Sequence, residues 1–241
     1  MKIVGLQVCG VGETDKYLEF TFKEFKKLCD DTVICCNGED PKRDALIKQY
    51  GFWSYRDDRE WGIHQPTIKT DLLARVARLR PDWIVPLDAD EVFESGFTRE
   101  KLEALTKDKH GCYFYIVNLW NDETKYSKGL SFWNIRFFKY LPAKGMQYLK
   151  KPLHCGLAPP YFYHVGTYVP HLVIHRGLLR PEDRARKVQR YATYDPGAKH
   201  KGQMYYDAIA ADKEGNTFVE DDLKGKVVHE VSTYKYQKKY V

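Results

Sequence analysis

Two aspartates, Asp88 and Asp90, directly follow the apolar run of residues 83–87. Alternate side chains along an extended chain point the same way, so both carboxylates can reach one cation. Carboxylates next to a buried strand are costly to the fold unless they are paired or bind a cation. Oxygen ligands of this kind suit Mg²⁺ or Mn²⁺, which also bridge phosphates. The pattern indicates a metal–diphosphate site, and the alternative is a loop in which an aspartate caps a helix and Glu91 is solvated.

Alternating strands and helices lead up to these aspartates. The patterns predict strands at 2–9, 32–36, 52–55 and 82–87, and helices at 14–29, 41–50 and from Pro66 to about residue 79. This alternation predicts an α/β fold with a mostly parallel central sheet and helices on both faces. Ligands of such sheets bind outside the carboxyl ends of the strands, where three polar clusters fall, at 37–40, 57–58 and 88–91.

The pattern changes after residue 98. It predicts helices at 98–107 and 181–194 and strands at 111–118, 131–140 and 168–175. From residue 195 the chain is polar and rich in lysine and tyrosine, which predicts weaker structure. No internal repeat or linker is evident, so we expect one domain with a C-terminal extension.

Charge and composition narrow the class of protein. The 241 residues carry a net charge of +6, but residues 1–120 hold 18 basic and 21 acidic side chains and the remainder holds 21 and 12. The basic half favours an anionic partner such as phosphate, nucleic acid or a lipid headgroup. The sequence shows no transmembrane segment and no secretory signal, so we expect a cytoplasmic protein, with peripheral contact to a membrane surface left open. The six cysteines form no CxxC pair, which excludes a zinc ribbon and favours buried thiols in a reducing compartment.

The segment from Trp83 to Phe93, Trp-Ile-Val-Pro-Leu-Asp-Ala-Asp-Glu-Val-Phe, resembles the DxD segment of family 2-type glycosyltransferases with a GT-A fold. Its Asp-Ala-Asp-Glu form is typical of one bacterial and viral subgroup. Further similar pieces are the first strand with its glycine turn and the segments 37–40, 118–122 and 175–191. The resemblance covers about residues 1–195, and the order of the motifs is specific.

The resemblance implies a GT-A-type nucleotide-diphospho-sugar transferase fold. Residues 1–195 would form the catalytic domain and 196–241 a C-terminal extension. Within the domain, residues 1–97 would be the nucleotide-binding half and 98–195 the acceptor half. The implied activity is metal-dependent, inverting transfer of a sugar from a UDP- or GDP-type nucleotide-diphosphate donor to an acceptor hydroxyl. The acceptor would be a glycan, a lipid-linked molecule or a protein.

The same resemblance implies roles for several polar residues. Asp88 and Asp90 would be the DxD acids at Mn²⁺ or Mg²⁺, with Asp90 the firmer metal ligand and Asp88 on the ribose or the metal. His175 matches the late histidine that family members often supply to the metal, and an ordinary strand histidine is the alternative. The nucleotide base or ribose would be contacted by Asn37, Glu39 and Asp40 and, after the third strand, by Asp57 or Asp58. The alternative for these five residues is a role in Asx turns.

Inverting transfer also needs a carboxylate that accepts the proton of the acceptor hydroxyl. Asp122 is the first candidate and Glu123 the second, because they follow strand 111–118, which in this fold would end near the acceptor. A surface loop with acidic residues is the alternative. His154 is a further candidate for the lining of the cleft.

A row of basic side chains lies along one side of the helix predicted at 181–194. The spacing of Arg180, Arg184, Lys187 and, less closely, Arg190 brings them to the same side. Such a row can hold a phosphate or an anionic acceptor. The alternative is a solvated helix face.

Three rival functions remain from the sequence. A haloacid dehalogenase-type phosphohydrolase would use Asp88 as its nucleophile, with residues 220–222 as a distal acidic motif, but its signature normally closes the first strand and here three strands precede it. A non-catalytic protein would bind polyanions through the basic half. A nucleotidyltransferase has a related fold, but a Gly-rich loop bearing Arg or Lys is missing after the first strand. Nucleic acid is not an expected partner, because no nucleic-acid module accompanies the charge.

Overall fold

The computed structural model describes residues 1–151, Leu153, 155–199, 203–210 and 214–237. Its strands are β1 (Ile3–Cys9), β2 (Asp31–Cys36), β3 (Trp53–Arg56), β4 (Trp83–Pro86), β5 (Glu91–Phe93), β6 (Gly111–Trp120), β7 (Asp122–Tyr126), β8 (Phe132–Lys139), β9 (Thr167–His175) and β10 (Asn216–Thr217). Its helices are α1 (Leu18–Leu28), α2 (Pro41–Tyr50), α3 (Trp61–Ala77), α4 (Arg99–Ala104), α5 (Pro160–Val165), α6 (Pro181–Tyr194), α7 (Gln203–Ala210) and α8 (Glu220–Gln237). His154, the further candidate for the cleft lining, lies outside the described residues.

The strands form one mixed sheet in the order β10-β7-β6-β8-β4-β1-β2-β3. The strands from β3 to β4 are parallel to their neighbours, and β8 joins β4 in the antiparallel direction. β9 pairs parallel with β6 and antiparallel with the short β5. The parallel part places the carboxyl ends of β1, β2 and β4 at one edge, and the predicted α/β fold is confirmed.

Helices cover both faces of the parallel part because successive strand residues point to opposite sides. Ile3 belongs to the same apolar cluster as Phe22 of α1. Its neighbour Val4 belongs to the cluster on the other face, with Ile68 and Leu72 of α3. Strands that are buried on both faces read as continuous apolar runs, which is why these strands were visible in the sequence.

The helix after β3 corrects one prediction. Pro66 does not open this helix, which begins five residues earlier at Trp61. The N–H groups of Ile63 and His64 bond to the carbonyl of Glu60 and close the first turn. Proline is common at the first position of a helix, but here it lies inside one. The preference of proline for the first position therefore predicted the wrong first residue for α3.

Two helices, α7 and α8, make up most of the described part of the C-terminal extension, so the prediction of weaker structure after residue 195 is wrong there. In α8, Leu223, Val227 and Val231 recur every fourth residue and are buried. They share a cluster with Leu172 and Ile174 of β9. The polar composition of the segment concealed this narrow apolar stripe. None of the described helices is long and apolar enough to cross a membrane.

All six cysteines are free thiols, as expected. Five are buried, and Cys29 is half-buried. Burial raises the pKa of the Cys112 thiol to about 12, because a thiolate there would lose its hydration. The cysteines act as small apolar residues of the core.

Candidate active site

The Asp-x-Asp motif forms a turn directly after β4, at the edge where the parallel strands end. The backbone N–H of Asp88 donates to Glu91 Oε2 at 3.1 Å. The carbonyl of Asp90 accepts from the backbone N–H of Arg176 at 2.9 Å. One end of the turn is thus held by β5 and the other by the chain that leaves β9.

Glu91, the last residue of the Asp-Ala-Asp-Glu segment, is buried in an ion pair with Arg136 of β8. Both residues are about 2% exposed or less. Arg136 donates through Nε to Glu91 Oε2 at 2.6 Å and through Nη2 to Oε1 at 2.5 Å. Burial lowers the pKa of Arg136, but the charge of Glu91 outweighs this and raises it overall. Glu91 is therefore not solvated: it fixes the turn that carries Asp88.

His175 ends β9 directly across from the motif. In the strand registers it lies opposite Glu91 of β5 and opposite Asn118 of β6. The Asn118 amide donates to the Leu130 carbonyl at 2.6 Å, so its Oδ1 faces the Nδ1 of His175 and accepts a hydrogen bond from it. In a neutral His175 ring the proton is therefore on Nδ1, and Nε2 carries the lone pair.

The Nε2 of His175 lies 3.4 Å from Oδ2 of Asp90. Burial alone would raise the pKa of Asp90, but His175 and Lys187 outweigh it and hold the pKa well below its usual range. Asp90 is thus ionised, and its oxygen and the imidazole nitrogen converge on one small space. A protonated Nε2 pairs with Asp90 in this way, and when a cation takes the place of that proton, Asp90 Oδ2 and the Nε2 lone pair become two ligands that face each other.

The donor set at this pair decides whether the implied metal fits. Among the described residues, no group of three or more His, Cys, Asp or Glu side chains is arranged to hold an ion. Asp90 and His175 offer two ligands, and cations at nucleotide sites commonly take their others from water and phosphates. The pair therefore fits a cation that is completed by a bound diphosphate. Imidazole nitrogen suits transition metals better than Mg²⁺, so the donor set favours Mn²⁺.

Gly177 leaves room beside this pair. A Cβ atom built on Gly177 would lie 2.1 Å from Asp90 Oδ2 and 2.7 Å from His175 Nε2. Both distances are far inside van der Waals contact. Any residue larger than glycine would therefore displace one of the two groups.

A first cavity of about 410 Å³ opens between the β1–α1 turn and α6. Asp90 and Gly177 line it, together with Lys16, Arg186, Lys187 and Arg190. Asp183 pairs with Lys16 and with Arg186. Among the described residues, Lys187 and Arg190 have no carboxylate within 4.0 Å, so their charges are available to an anion in the cavity.

Glu13, in the β1–α1 turn, also lines the first cavity. Burial raises its pKa, and the nearby Asp90 raises it further. This residue was missed from the sequence. In the sequence, only its position directly after the glycine turn that follows the first strand pointed to it.

A second cavity of about 380 Å³ lies on the other side of the motif. Asp88, Asn118 and His175 line it, and Lys187 borders both cavities. The Asp-x-Asp turn therefore lies between the two cavities: Asp90 lines the first cavity and Asp88 lines the second. A ligand that spans both would pass over the Asp90–His175 pair.

The residues predicted to contact the nucleotide after β2 form bonds within the protein. The Asn37 amide donates to the carbonyls of Asp57 and Arg59, at 2.7 and 2.8 Å. Asp40 caps α2 through the N–H of Arg43 and accepts from the N–H of Gly12 at 3.0 Å. Burial raises the pKa of Asp40, but these N–H donors outweigh it and lower the pKa overall. Asp40 thus holds the β1–α1 turn that lines the first cavity.

The remaining predicted contacts lie farther out. Glu39 is exposed and pairs with Arg56 at 2.6 Å. The hydrogen bonds from Arg59 lower the pKa of Asp57, and Asp58 is exposed. None of the five predicted nucleotide contacts lines either cavity. Direct contact of these residues with a nucleotide stays a prediction.

Arg43 organises this edge of the sheet and was missed from the sequence. It is fully buried, and its guanidinium donates to the carbonyls of Cys9, Asn37 and Gly38, at 3.1, 3.4 and 2.7 Å. These carbonyls lie at the carboxyl ends of β1 and β2. An arginine in the first turn of a polar helix gives no sequence signal that it points inward.

Asp122 and Glu123, the predicted bases, lie on the exposed hairpin of β7. Asp122 accepts from the Thr124 hydroxyl and N–H, at 2.6 and 2.7 Å, and these bonds lower its pKa. Glu123 pairs with Arg176 at 2.8 Å. Neither carboxylate lines the first or the second cavity. Glu123 reaches the side chain of Arg176, the residue after His175, and a role of either carboxylate as the base stays a prediction.

The basic row predicted on α6 is wrong in part. Arg184 is 4% exposed and donates inward to the carbonyls of Leu178 and Leu179. Its guanidinium lies 4.2 Å from the ring centroid of Trp120. The row on the first cavity consists instead of Arg186, Lys187 and Arg190.

Comparison with known proteins bears on the fold. No family model matches the chain, and no curated protein matches it. Its structure is similar to TarS from S. aureus, with a TM-score of 0.53 and 10% sequence identity over 85% of this chain. The chain spans 44% of the length of that protein.

Two further structures are less similar. TarS residues 1–349 in complex with UDP give a TM-score of 0.46 at 10% identity, over 88% of this chain and 70% of that one. The 4-diphosphocytidyl-2C-methyl-D-erythritol synthase gives 0.41 at 16% identity, over 58% and 75%. The similarity to TarS concerns the fold alone. The chain thus shares a mixed α/β fold with TarS.

Proposed function

We propose that this chain is a metal-dependent glycosyltransferase that moves a sugar from a UDP- or GDP-type nucleotide-diphosphate donor to an acceptor hydroxyl. The observation that carries the proposal is the convergence of Asp90 and His175 at 3.4 Å between two cavities. The convergence lies at the carboxyl edge of the sheet, where α/β folds bind ligands. The TarS-like fold supports the same class of reaction.

The first cavity would bind the donor diphosphate. Lys187 and Arg190 would donate charge-assisted hydrogen bonds to its oxygens. Asp90 and His175 would hold Mn²⁺ against the same diphosphate. The bound cation would supply Lewis-acid stabilisation of the departing diphosphate. Gly177 would leave the space that this arrangement needs.

The second cavity would take the sugar and the acceptor. Holding the acceptor hydroxyl in line with the bond that breaks accounts for much of the rate in such reactions. Asp122 and Glu123 lie outside this cavity, so a base there would need a movement of the β7 hairpin. Asp88 lines the cavity and has no ion-pair partner among the described residues, and it is a third candidate for the base. Inversion at the sugar is part of the proposal, on the family resemblance.

The proposal is tested by ligand-dependent thermal stability. UDP and GDP are added to the purified chain with and without Mn²⁺, and hydrolysis of UDP- and GDP-sugars is followed by chromatography. We expect one nucleotide to raise the melting temperature only with Mn²⁺, and Asp90→Ala to abolish this rise. Asp207→Ala, at an exposed position of α7 outside both cavities, is the matched control. A nucleotide effect that Asp90→Ala leaves intact would overturn the proposal.

The rival functions have less support. In a phosphohydrolase the acidic segment 220–222 would meet Asp88, but it opens α8, where Glu220 accepts from Ser95 at 2.8 Å. That segment lines neither cavity. Release of phosphate from phosphomonoesters, without any effect of nucleotide diphosphates, would favour this rival. Binding of polyanions with neither activity would favour a non-catalytic protein.

A further inference from the structure

The second cavity contains a buried cation that the proposed donor chemistry does not use. Lys69 of α3 is 4% exposed and lines this cavity. Its Nζ donates to the Gly156 carbonyl at 2.7 Å. The same ammonium lies 5.6 Å from the ring centroid of Trp61 and 5.9 Å from that of Tyr148.

No carboxylate among the described residues lies within 4.0 Å of the Lys69 ammonium, whose single hydrogen-bond acceptor is a neutral carbonyl. The buried Glu91 of this cavity is already paired with Arg136. An ammonium has three donors, so Lys69 can donate more bonds than it makes here. Burying a charge without a counter-charge is costly, and aromatic faces offset only part of the cost. An anion in the cavity would supply the missing counter-charge.

Neutral polar side chains surround the same space. Gln65 lies one helical turn before Lys69 and lines the cavity, as do Asn134 and Tyr163. The Tyr163 hydroxyl bonds to Asn134 Oδ1 at 3.1 Å, which fixes both groups. Amides and hydroxyls of this kind suit the hydroxyls of a sugar. The lining therefore combines sugar-binding groups with the Lys69 ammonium, apart from Arg136, which is paired with Glu91, and Lys187, which lies at the border with the first cavity.

We propose that the second cavity binds a sugar that carries an anionic group, a carboxylate or a phosphate, and that Lys69 binds this group. The inference rests on the proposed function and deepens it, because it assigns a chemical class to the sugar ligand. The anion can come from a uronic-type carboxylate or from a sugar phosphate, on the donor or on the acceptor. The shared chemistry is a single anionic substituent beside the Lys69 ammonium.

Calorimetric titration tests the proposal, with D-glucose, D-glucuronate, D-glucose 6-phosphate and inorganic phosphate as probes. The protein variants are the wild type, Lys69→Met, Lys69→Arg and Lys23→Met, an exposed lysine of α1 as control. We expect glucuronate or glucose 6-phosphate to bind at least about tenfold more tightly than glucose, because hydrogen bonds to charged groups are stronger than those between neutral groups. Which of the two binds more tightly identifies the source of the charge. Lys69→Met should remove the preference, and Lys69→Arg and Lys23→Met should keep it.

Equal binding of glucose and both anionic sugars by the wild type would overturn the proposal, whatever the variants do. A preference that Lys69→Met leaves intact would also overturn it. Equal binding of inorganic phosphate and glucose 6-phosphate would reduce the site to a simple anion site and contradict the sugar component. Failure of the proposed function has a different signature, because then UDP and GDP with Mn²⁺ do not stabilise the wild type at all.

Discussion

Removing Arg136 should destabilise the protein, because Arg136 pairs with the buried Glu91, whose carboxylate holds the Asp-x-Asp turn. In Arg136→Met the guanidinium disappears, while Glu91 stays about 1% exposed. Among the residues that the structure describes, Glu91 would keep only the N–H of Asp88 as a donor. Leaving one partner of a buried pair uncompensated destabilises a protein by about 3–5 kcal/mol. For a chain of this length that corresponds to a fall in melting temperature of about 6–20 °C.

The double variant Glu91→Gln/Arg136→Met separates charge from shape. Glutamine keeps an oxygen that accepts from the Asp88 N–H but carries no charge. We expect this variant to recover most of the stability that Arg136→Met loses, since a buried pair replaced on both sides is often close to neutral. It should also keep its Mn²⁺-dependent binding of nucleotide, because the turn keeps its acceptor.

Urea denaturation of the wild type, both single variants and the double variant forms a complete cycle that measures the coupling. Lys23→Met, which removes the exposed pair of Lys23 with Glu19, is the control and should not change stability measurably. A loss below about 1 kcal/mol in Arg136→Met would refute the reasoning. A double variant no more stable than Arg136→Met would refute it as well.

Three further predictions concern the ligands themselves. Asn118→Leu removes the oxygen that accepts the hydrogen bond from Nδ1 of His175. Titration with Mn²⁺ should therefore show an affinity about 10–100-fold weaker at unchanged fold. Unchanged affinity would contradict the hydrogen-bond assignment. Gly177→Ala should abolish Mn²⁺-dependent nucleotide binding in the thermal shift assay, whereas Gly129→Ala, with nothing within 4 Å of the new Cβ, should not. The pKa of Asp90 is lowered in the folded protein, so its ionisation stabilises the fold above about pH 4, and this stabilisation is lost as the pH falls further. Urea titrations should therefore show wild type and Asp90→Asn converging below that pH, and a constant difference would contradict the pKa shift.

The parallel part of the fold was predictable because its signals are local. β1, β2 and β4 are buried on both faces, so they appear as uninterrupted apolar runs that end in polar residues. These runs alone were enough to place Asp88 and Asp90 at the edge of the sheet where the parallel strands end, and α/β sheets bind their ligands at that edge. The predicted start of α3 was five residues too late, because Pro66 lies inside the helix although proline prefers the first position.

The second half of the site depends on long-range pairing that local patterns do not encode. His175, Glu91 and Asn118 meet because β5, β9 and β6 align in one register, although they lie far apart in sequence. The burial of Arg43 and Arg184 was hidden because both donate to main-chain carbonyls, which have no residue-type signature; the Cys9 partner of Arg43 is also far away in sequence. The short β5 and β7 carried too few residues to show a period.

The central claim is that Asp90 and His175 hold a cation against a bound diphosphate. Anomalous diffraction from crystals grown with Mn²⁺ and the stabilising nucleoside diphosphate tests it directly. We expect one manganese peak between Asp90 Oδ2 and His175 Nε2, with diphosphate oxygens completing its coordination and Lys187 nearby. A manganese ion bound away from this pair, or a nucleotide bound in the first cavity without any manganese at Asp90, would contradict it.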